Sequence, residues 1–209
     1  FKTKTKHLVT MVSHLVLIRE AMKKYQIARN DFEVNRKEAI FEFQLDEPEM
    51  DKLLIEEIEK VGDQQGHKTN AQCQMTYWQM WEYPGFERFA KMYLDACDAI
   101  SRMQFNPTHN YKFLIKNLWG LKYTSGQTTK AHDHWPAIYS CAYYITAPEG
   151  APGLYFPEVK TKEGLGVEKK IKPGMLLIFP SMMRHEVRQQ PFEGYRYTVS
   201  GNVYADYKS

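Results

Sequence analysis

At 209 residues, with 43% hydrophobic and 25% charged side chains, the chain has the make-up of a soluble globular protein with a sizeable core, which excludes the disordered and multi-span membrane classes. Its formal net charge of +3 comes from bases scattered among nearly as many acids, so no nucleic-acid partner is expected. Cys73, Cys97 and Cys141 are an odd set without C-x-x-C spacing and read as reduced, buried thiols of a cytoplasmic protein.

The chain opens on Phe1, and its first stretch combines a basic lead with an apolar run, as a signal peptide would. Thr10, Ser13 and His14 interrupt that run, no small-residue cleavage site follows, and Arg19, Glu20, Lys23 and Lys24 come next. Leu8, Met11, Val12, Leu15, Ile18, Met22 and Tyr25 fall instead at helical spacing. Residues 1–35 are therefore expected to be a helical extension that packs on the domain or on a second copy of the chain, as a homodimer. The run is too short for a span and its basic face is weak, so no membrane partner is expected.

Residues 36–209 read as a single domain. Ala39 to Leu45 alternates as a strand, and Asp46, Glu47 and Pro48 then supply a capping acid and a first-turn proline for a helix. Met50, Leu53, Leu54, Ile58 and Val61 give that helix one apolar face. A second helix is expected from about 86 to 103, with Phe89, Ala90, Tyr93, Leu94, Cys97 and Ile100 inward. Together residues 46–104 form a helical buttress on one side of a sheet.

Beyond Pro107 the texture changes to short β runs punctuated by Gly and Pro. Strands are expected near 111–123, 128–134, 138–146, 153–157, 166–171, 175–179, 185–189 and 195–204. Their number and spacing predict a jelly roll over 111–204. The class is thus α+β, mainly β. In the last strand Tyr195, Tyr197, Val199 and Val203 alternate with Arg196, Thr198, Ser200 and Asn202. The polar side faces either water or a cavity inside the barrel, and composition does not choose between them. An Arg so placed would suit a planar carboxylate, which it can grip through two parallel hydrogen bonds.

Two of the seven histidines stand in the order His132, Asp133, His134. On a strand, residues i and i+2 share a face, so the two imidazoles would project together while Asp133 points away. Such a pair is either a polar strand face or two ligands of one metal ion. His67 and His109 sit in polar loops and read as solvated, and His7 and His14 belong to the N-terminal helix.

Five pieces in order, GQTTKAHDH, YSCAYYI, GLYFPE, KPGMLLIFPSMMRHEV and EGYRYTVSGN, make the region from about Tyr111 to Tyr204 resemble the double-stranded β-helix of the Fe(II)/2-oxoglutarate-dependent oxygenases. It is most similar to the small prolyl-hydroxylase-like bacterial and phage group with an H-x-H motif. The resemblance implies a cupin-like double-stranded β-helix with Fe(II) as metal and 2-oxoglutarate as cosubstrate. It makes His132, His134 and His185 the catalytic metal ligands. Arg196 and Thr198 fit the family's R-x-S/T pattern for the distal carboxylate of 2-oxoglutarate. Asn202, on the face of Arg196, is a further candidate for a cosubstrate contact, and Tyr123 is either such a contact or core packing. Tyr143, Tyr144 and Trp135 are either core packing or cavity wall. The commonest motif is H-x-D/E, and His134 stands where the carboxylate would be, which leaves the metal centre one unit more positive. Asp133 would replace it only if a bulge reversed the strand.

The reaction implied is hydroxylation of a C–H bond by dioxygen, with 2-oxoglutarate converted to succinate and CO2. Its substrate would be an amino acid, a peptide or another small metabolite. The loops 160–166 and 62–70 read as lids. Two other readings stay open: a three-histidine iron dioxygenase that uses no 2-oxoglutarate, and a non-enzymatic jelly-roll binding module.

Overall fold

The computed structural model describes residues 38–64, 69–104 and 111–207. The expected N-terminal helix, with His7 and His14, lies outside the described residues, as do His67 and His109. Residues 38 onward belong to one compact unit.

The elements follow in the order β1 (Phe41–Gln44), α1 (Pro48–Val61), β2 (Ala71–Gln72), β3 (Gln74–Met75), α2 (Pro84–Gln104), β4 (Tyr111–Tyr123), β5 (Thr128–His132), β6 (Tyr139–Tyr144), β7 (Leu154–Thr161), β8 (Gly164–Lys169), β9 (Met175–Pro180), β10 (His185–Val187) and β11 (Arg196–Tyr207). All the strand pairs are antiparallel. The major sheet runs β1-β9-β6-β11-β4-β3 and the minor sheet β2-β5-β10-β7-β8. Two sheets face to face with helices against one of them are the expected mainly β, double-stranded β-helix architecture.

Alternation along each central strand feeds two separate cores. Leu118 of β4, Tyr143 of β6, Ile178 of β9 and Val199 of β11 point to the helices, where Met50, Leu54, Ile58, Phe86, Phe89 and Tyr93 meet them. Trp119, Leu121, Tyr123, Tyr144, Leu177 and Phe179 point the other way, into the space between the sheets. The major sheet is therefore buried on both faces. β6 and all but the last residue of β9 are buried throughout.

Gly120 shows how closely the helices are set. A Cβ on it would stand 2.4 Å from Ile58 Cγ1, so the absence of a side chain is what lets α1 lie against β4. On α1, Met50, Leu54 and Ile58 are buried as expected, whereas Leu53 is exposed and Glu57 is buried. Glu57 turns inward because its Oε1 accepts the Gly85 N–H at 3.0 Å, placing a carboxylate at the start of α2 where the helix dipole favours it. The expected acid cap on α1 does not form: the Glu47 side chain makes no capping bond and pairs with Arg88. The expected 160–166 lid is corrected too. That stretch turns at 162–163 and continues as the β7–β8 hairpin, with the Glu163 N–H donated to Thr161 Oγ1 at 3.2 Å.

Candidate metal and cosubstrate site

The minor sheet brings the first two histidines together. β5 ends on His132 and β10 begins on His185, and the two are direct partners across the ladder. The strand does not continue to His134 as parity had suggested. Asp133 Oδ1 accepts the Trp135 N–H at 3.1 Å and the Ala137 N–H reaches His134 O at 2.9 Å, so the chain leaves the sheet in an Asx turn. That turn, rather than an alternating strand, aims His134 at the other two.

Ring centroids lie 4.5 Å apart for His132 and His185, 4.7 Å for His132 and His134, and 5.1 Å for His134 and His185. One ring nitrogen from each falls within 4.8 Å of the others. Asp133 is exposed, its carboxylate is engaged with Trp135, and it does not belong to this cluster.

His132 Nδ1 lies 2.7 Å from Lys130 O and His185 Nδ1 lies 2.9 Å from Met183 O. A carbonyl only accepts, so both Nδ1 atoms carry protons and both Nε2 atoms present lone pairs. Burial favours the neutral rings. It lowers the His132 pKa, pushes His134 down to about 3 with His132 adding to the effect, and holds His185 well below the usual imidazole range. Three neutral imidazoles converging on one point are a donor set for a divalent transition metal.

The triad opens onto a cavity of about 270 Å³ between the sheets. Arg196 also lines it, fully buried at 1% exposure, with Nη1 donating to Pro152 O at 2.5 Å and Cζ 4.1 Å above the Tyr123 ring. Among the described residues its Nε has no partner, and neither do the Tyr144 and Thr198 hydroxyls, which are also buried. All three residues line the cavity. A buried guanidinium without a carboxylate is costly, and orphaned polar groups on one wall mark where a ligand's oxygens complete them. The acid among the lining residues is Asp133, which already serves Trp135. The site thus fits an anionic chelating ligand between a metal and Arg196.

The other expected residues are distributed as follows. Tyr123 lines the cavity under Arg196, its hydroxyl 2.6 Å from Thr129 Oγ1. Tyr144 lines it as well, whereas Tyr143 points to the helices and donates to Asp51 Oδ1 at 2.6 Å. Trp135 is 73% exposed. Asn202, expected as a cosubstrate contact, shares the face of Arg196 but is absent from the cavity lining; its Oδ1 accepts from Ser140 at 2.8 Å. Trp119, Trp78 and Thr129 line the cavity and were missed. Trp119 was within reach, since it shares strand parity with Tyr123.

Residues 117–202 match the family model described as "Putative 2OG-Fe(II) oxygenase". The matched segment holds His132, His134, His185 and Arg196. Among solved structures, the viral collagen prolyl hydroxylase of Paramecium Bursaria Chlorella virus-1, in complex with 2OG, is 15% identical over 78% of this chain and 94% of its own, with a TM-score of 0.56. A Pseudomonas putida prolyl-4-hydroxylase is 16% identical over 80% and 92%, with a TM-score of 0.55. HygX of Streptomyces hygroscopicus, solved with nickel and 2-oxoglutarate, is 14% identical over 78% and 82%, with a TM-score of 0.56. At these identities the likeness is one of fold. No curated protein sequence matches the chain. Among the described residues no helix is long and apolar enough to cross a membrane.

Proposed function

We propose that the chain is a 2OG-Fe(II) oxygenase that holds its iron through His132, His134 and His185 and receives 2-oxoglutarate between the metal and Arg196. The observation that carries this reading is the trio of unpartnered buried groups, Arg196 Nε, Thr198 Oγ1 and Tyr144 OH, in the same cavity as the triad. In it, Arg196 and the two hydroxyls take the distal carboxylate, and Tyr123, fixed by Thr129, supports the guanidinium from below. When bound, Fe(II) supplies the redox chemistry that couples oxidative decarboxylation of 2-oxoglutarate by dioxygen to hydroxylation of a C–H bond.

The chain's own residues do the rest. Three neutral imidazoles leave the metal its full double charge, and Arg196 adds another, so a dianionic cosubstrate is drawn in by the cavity as a whole. Trp119, Leu121 and Phe179 keep the space between metal and Arg196 apolar, which limits water around the reacting centre. At about 270 Å³ the cavity lies just below the ~300–1,000 Å³ typical of small-molecule sites. The cosubstrate therefore fills most of it, and the substrate presents one C–H bond at its edge, with Asp133, the exposed residue of the lining's H-x-H stretch, as its neighbour. An amino acid, a peptide side chain or a small metabolite meets that requirement; two of the similar folds are prolyl hydroxylases.

Anaerobic titration of the Fe(II)-loaded protein with 2-oxoglutarate tests the reading. A saturable visible charge-transfer band is expected. Bound iron without a band would favour a three-histidine dioxygenase in which Arg196 grips a substrate carboxylate, and no iron binding would favour a binding module.

A further inference from the structure

Two of the three histidines owe their positions to the sheet, because His132 and His185 are ladder partners and each Nδ1 is anchored on a carbonyl two residues earlier in the chain. His134 has neither support. It sits past the end of β5, and its ring has no hydrogen-bond partner among the described residues; apart from the other two histidines, its ring meets Trp119 edge-on at 5.8 Å between centroids. What fixes it is its backbone. The His134 N–H is donated to Ser181 O at 2.9 Å, and the Ser181 N–H to Ile138 O at 3.0 Å, so one residue just beyond β9 clamps both ends of the 134–138 turn.

Ser181 is in turn held by side chains. Its Oγ lies 2.9 Å from Ser140 Oγ, and Ser140 Oγ lies 2.8 Å from Asn202 Oδ1. These residues come from β6, β11 and the end of β9, and they are 0%, 2% and 4% exposed for Ser181, Ser140 and Asn202. The amide oxygen can only accept, so the Ser140 proton goes to Asn202 and the Ser181 hydroxyl donates to Ser140. A polar chain of this kind, buried in a sheet that is otherwise apolar here, is retained at a desolvation cost and specifies one arrangement of its members.

We infer that Ser140, Ser181 and Asn202 form a positioning relay that sets the third metal ligand, His134, relative to the two held by the sheet. The inference rests on the three-histidine reading above. It also gives Asn202 a role at the metal end of the site, through Ser140 and Ser181, in place of a contact with the cosubstrate.

Three variants, Ser140→Ala, Ser181→Ala and the double, are compared with wild type for Co(II) affinity and the visible spectrum of the bound Co(II). The melting temperature of the metal-free protein and the 2-oxoglutarate affinity at saturating Co(II) complete the set. Each single variant is expected to bind Co(II) about tenfold more weakly, the low end for loss of an outer-shell partner, and to shift the Co(II) bands. The double should lose no more than a single, as members of one chain do. Affinity for 2-oxoglutarate should stay within twofold, because Arg196 is not touched. Wild-type Co(II) affinity and spectrum in both single variants would overturn the relay. So would a parallel loss of 2-oxoglutarate affinity, which would mean general loosening. Should Ser140→Ala fail to fold, Ser181→Ala alone carries the same comparison. If His185→Ala bound Co(II) as tightly as wild type, the three-histidine reading itself would fall, and the relay with it.

Discussion

Replacing Arg196 by Met removes the guanidinium while keeping most of the side chain's length. In the protein free of cosubstrate this group makes one charged hydrogen bond, to Pro152 O, and stacks on Tyr123, with Nε left bare. The bond contributes about 1.5–3 kcal/mol and the stacking about 1–2 kcal/mol, against a burial cost of several kcal/mol for an unpaired charge. These offset one another. The melting temperature of Arg196→Met without cosubstrate should therefore stay within about 4 °C of wild type, the shift that ~1 kcal/mol produces in a domain of this size. The ligated state behaves differently, because truncating one partner of a buried, hydrogen-bonded charge pair costs about 2–5 kcal/mol. That corresponds to a loss of about thirtyfold to several thousandfold in 2-oxoglutarate affinity. Iron binding should be unchanged, since Arg196 lies outside the triad. Anaerobic titration of the charge-transfer band, with scanning calorimetry of the metal-free protein, reads both halves. A 2-oxoglutarate dissociation constant within threefold of wild type would refute the assignment of Arg196.

Three further outcomes follow from the geometry. Asp133→Asn should leave Co(II) affinity within twofold, because the carboxylate serves the Trp135 amide and not the metal; equilibrium dialysis showing a tenfold loss would return Asp133 to the ligand set. Stability of the metal-free protein should fall as pH drops below about 6.5, where imidazoles of the unfolded chain take up protons that the buried rings refuse. The unfolded state then binds more protons, so the loss runs at about 1.4 kcal/mol per pH unit per ring, down to about pH 3 for His134. Urea midpoints measured between pH 7.5 and 4.5 check this, and a flat profile would contradict the burial of the triad. Gly120→Ala should cost about 1–3 kcal/mol, because its Cβ would meet Ile58 Cγ1 at 2.4 Å; an unchanged urea midpoint would mean that α1 can move off β4 freely.

Much of this site was legible in the sequence, and what was not has identifiable causes. The period-2 pattern of β11 showed that Arg196, Thr198, Ser200 and Asn202 share a face, and periodicity placed both helices to within two residues. Alternation does not say what lies on a face, however. Arg196 and Thr198 look into a cavity, while Asn202, on the same face, is taken up by Ser140, because the second sheet covers only part of the strand. The hydrophobic pattern likewise put Leu53 on the apolar face of α1 and did not single out Glu57, which is buried. The start of α2 turns Glu57 inward by offering it an N–H donor, a partner from another element that no local period reports. The stretch 160–166 reads as a loop because it is polar and contains glycine, yet β7 runs on to Thr161 and β8 begins at Gly164, their backbones paired across the hairpin.

The two histidines of the H-x-H motif are the clearest case. Strand parity predicts that the two rings converge, and they do, but by another route: the chain leaves the sheet between them and a side-chain-closed turn restores the convergence. The distinction matters for the chemistry. A ligand carried on a ladder is fixed by its backbone pairing, whereas one carried on a turn is only as well placed as the groups that hold the turn. The proposed metal centre therefore combines two ligands set by sheet geometry with a third that we infer to be set by the clamp at Ser181, and the third is where its affinity should be most easily altered without touching a ligand.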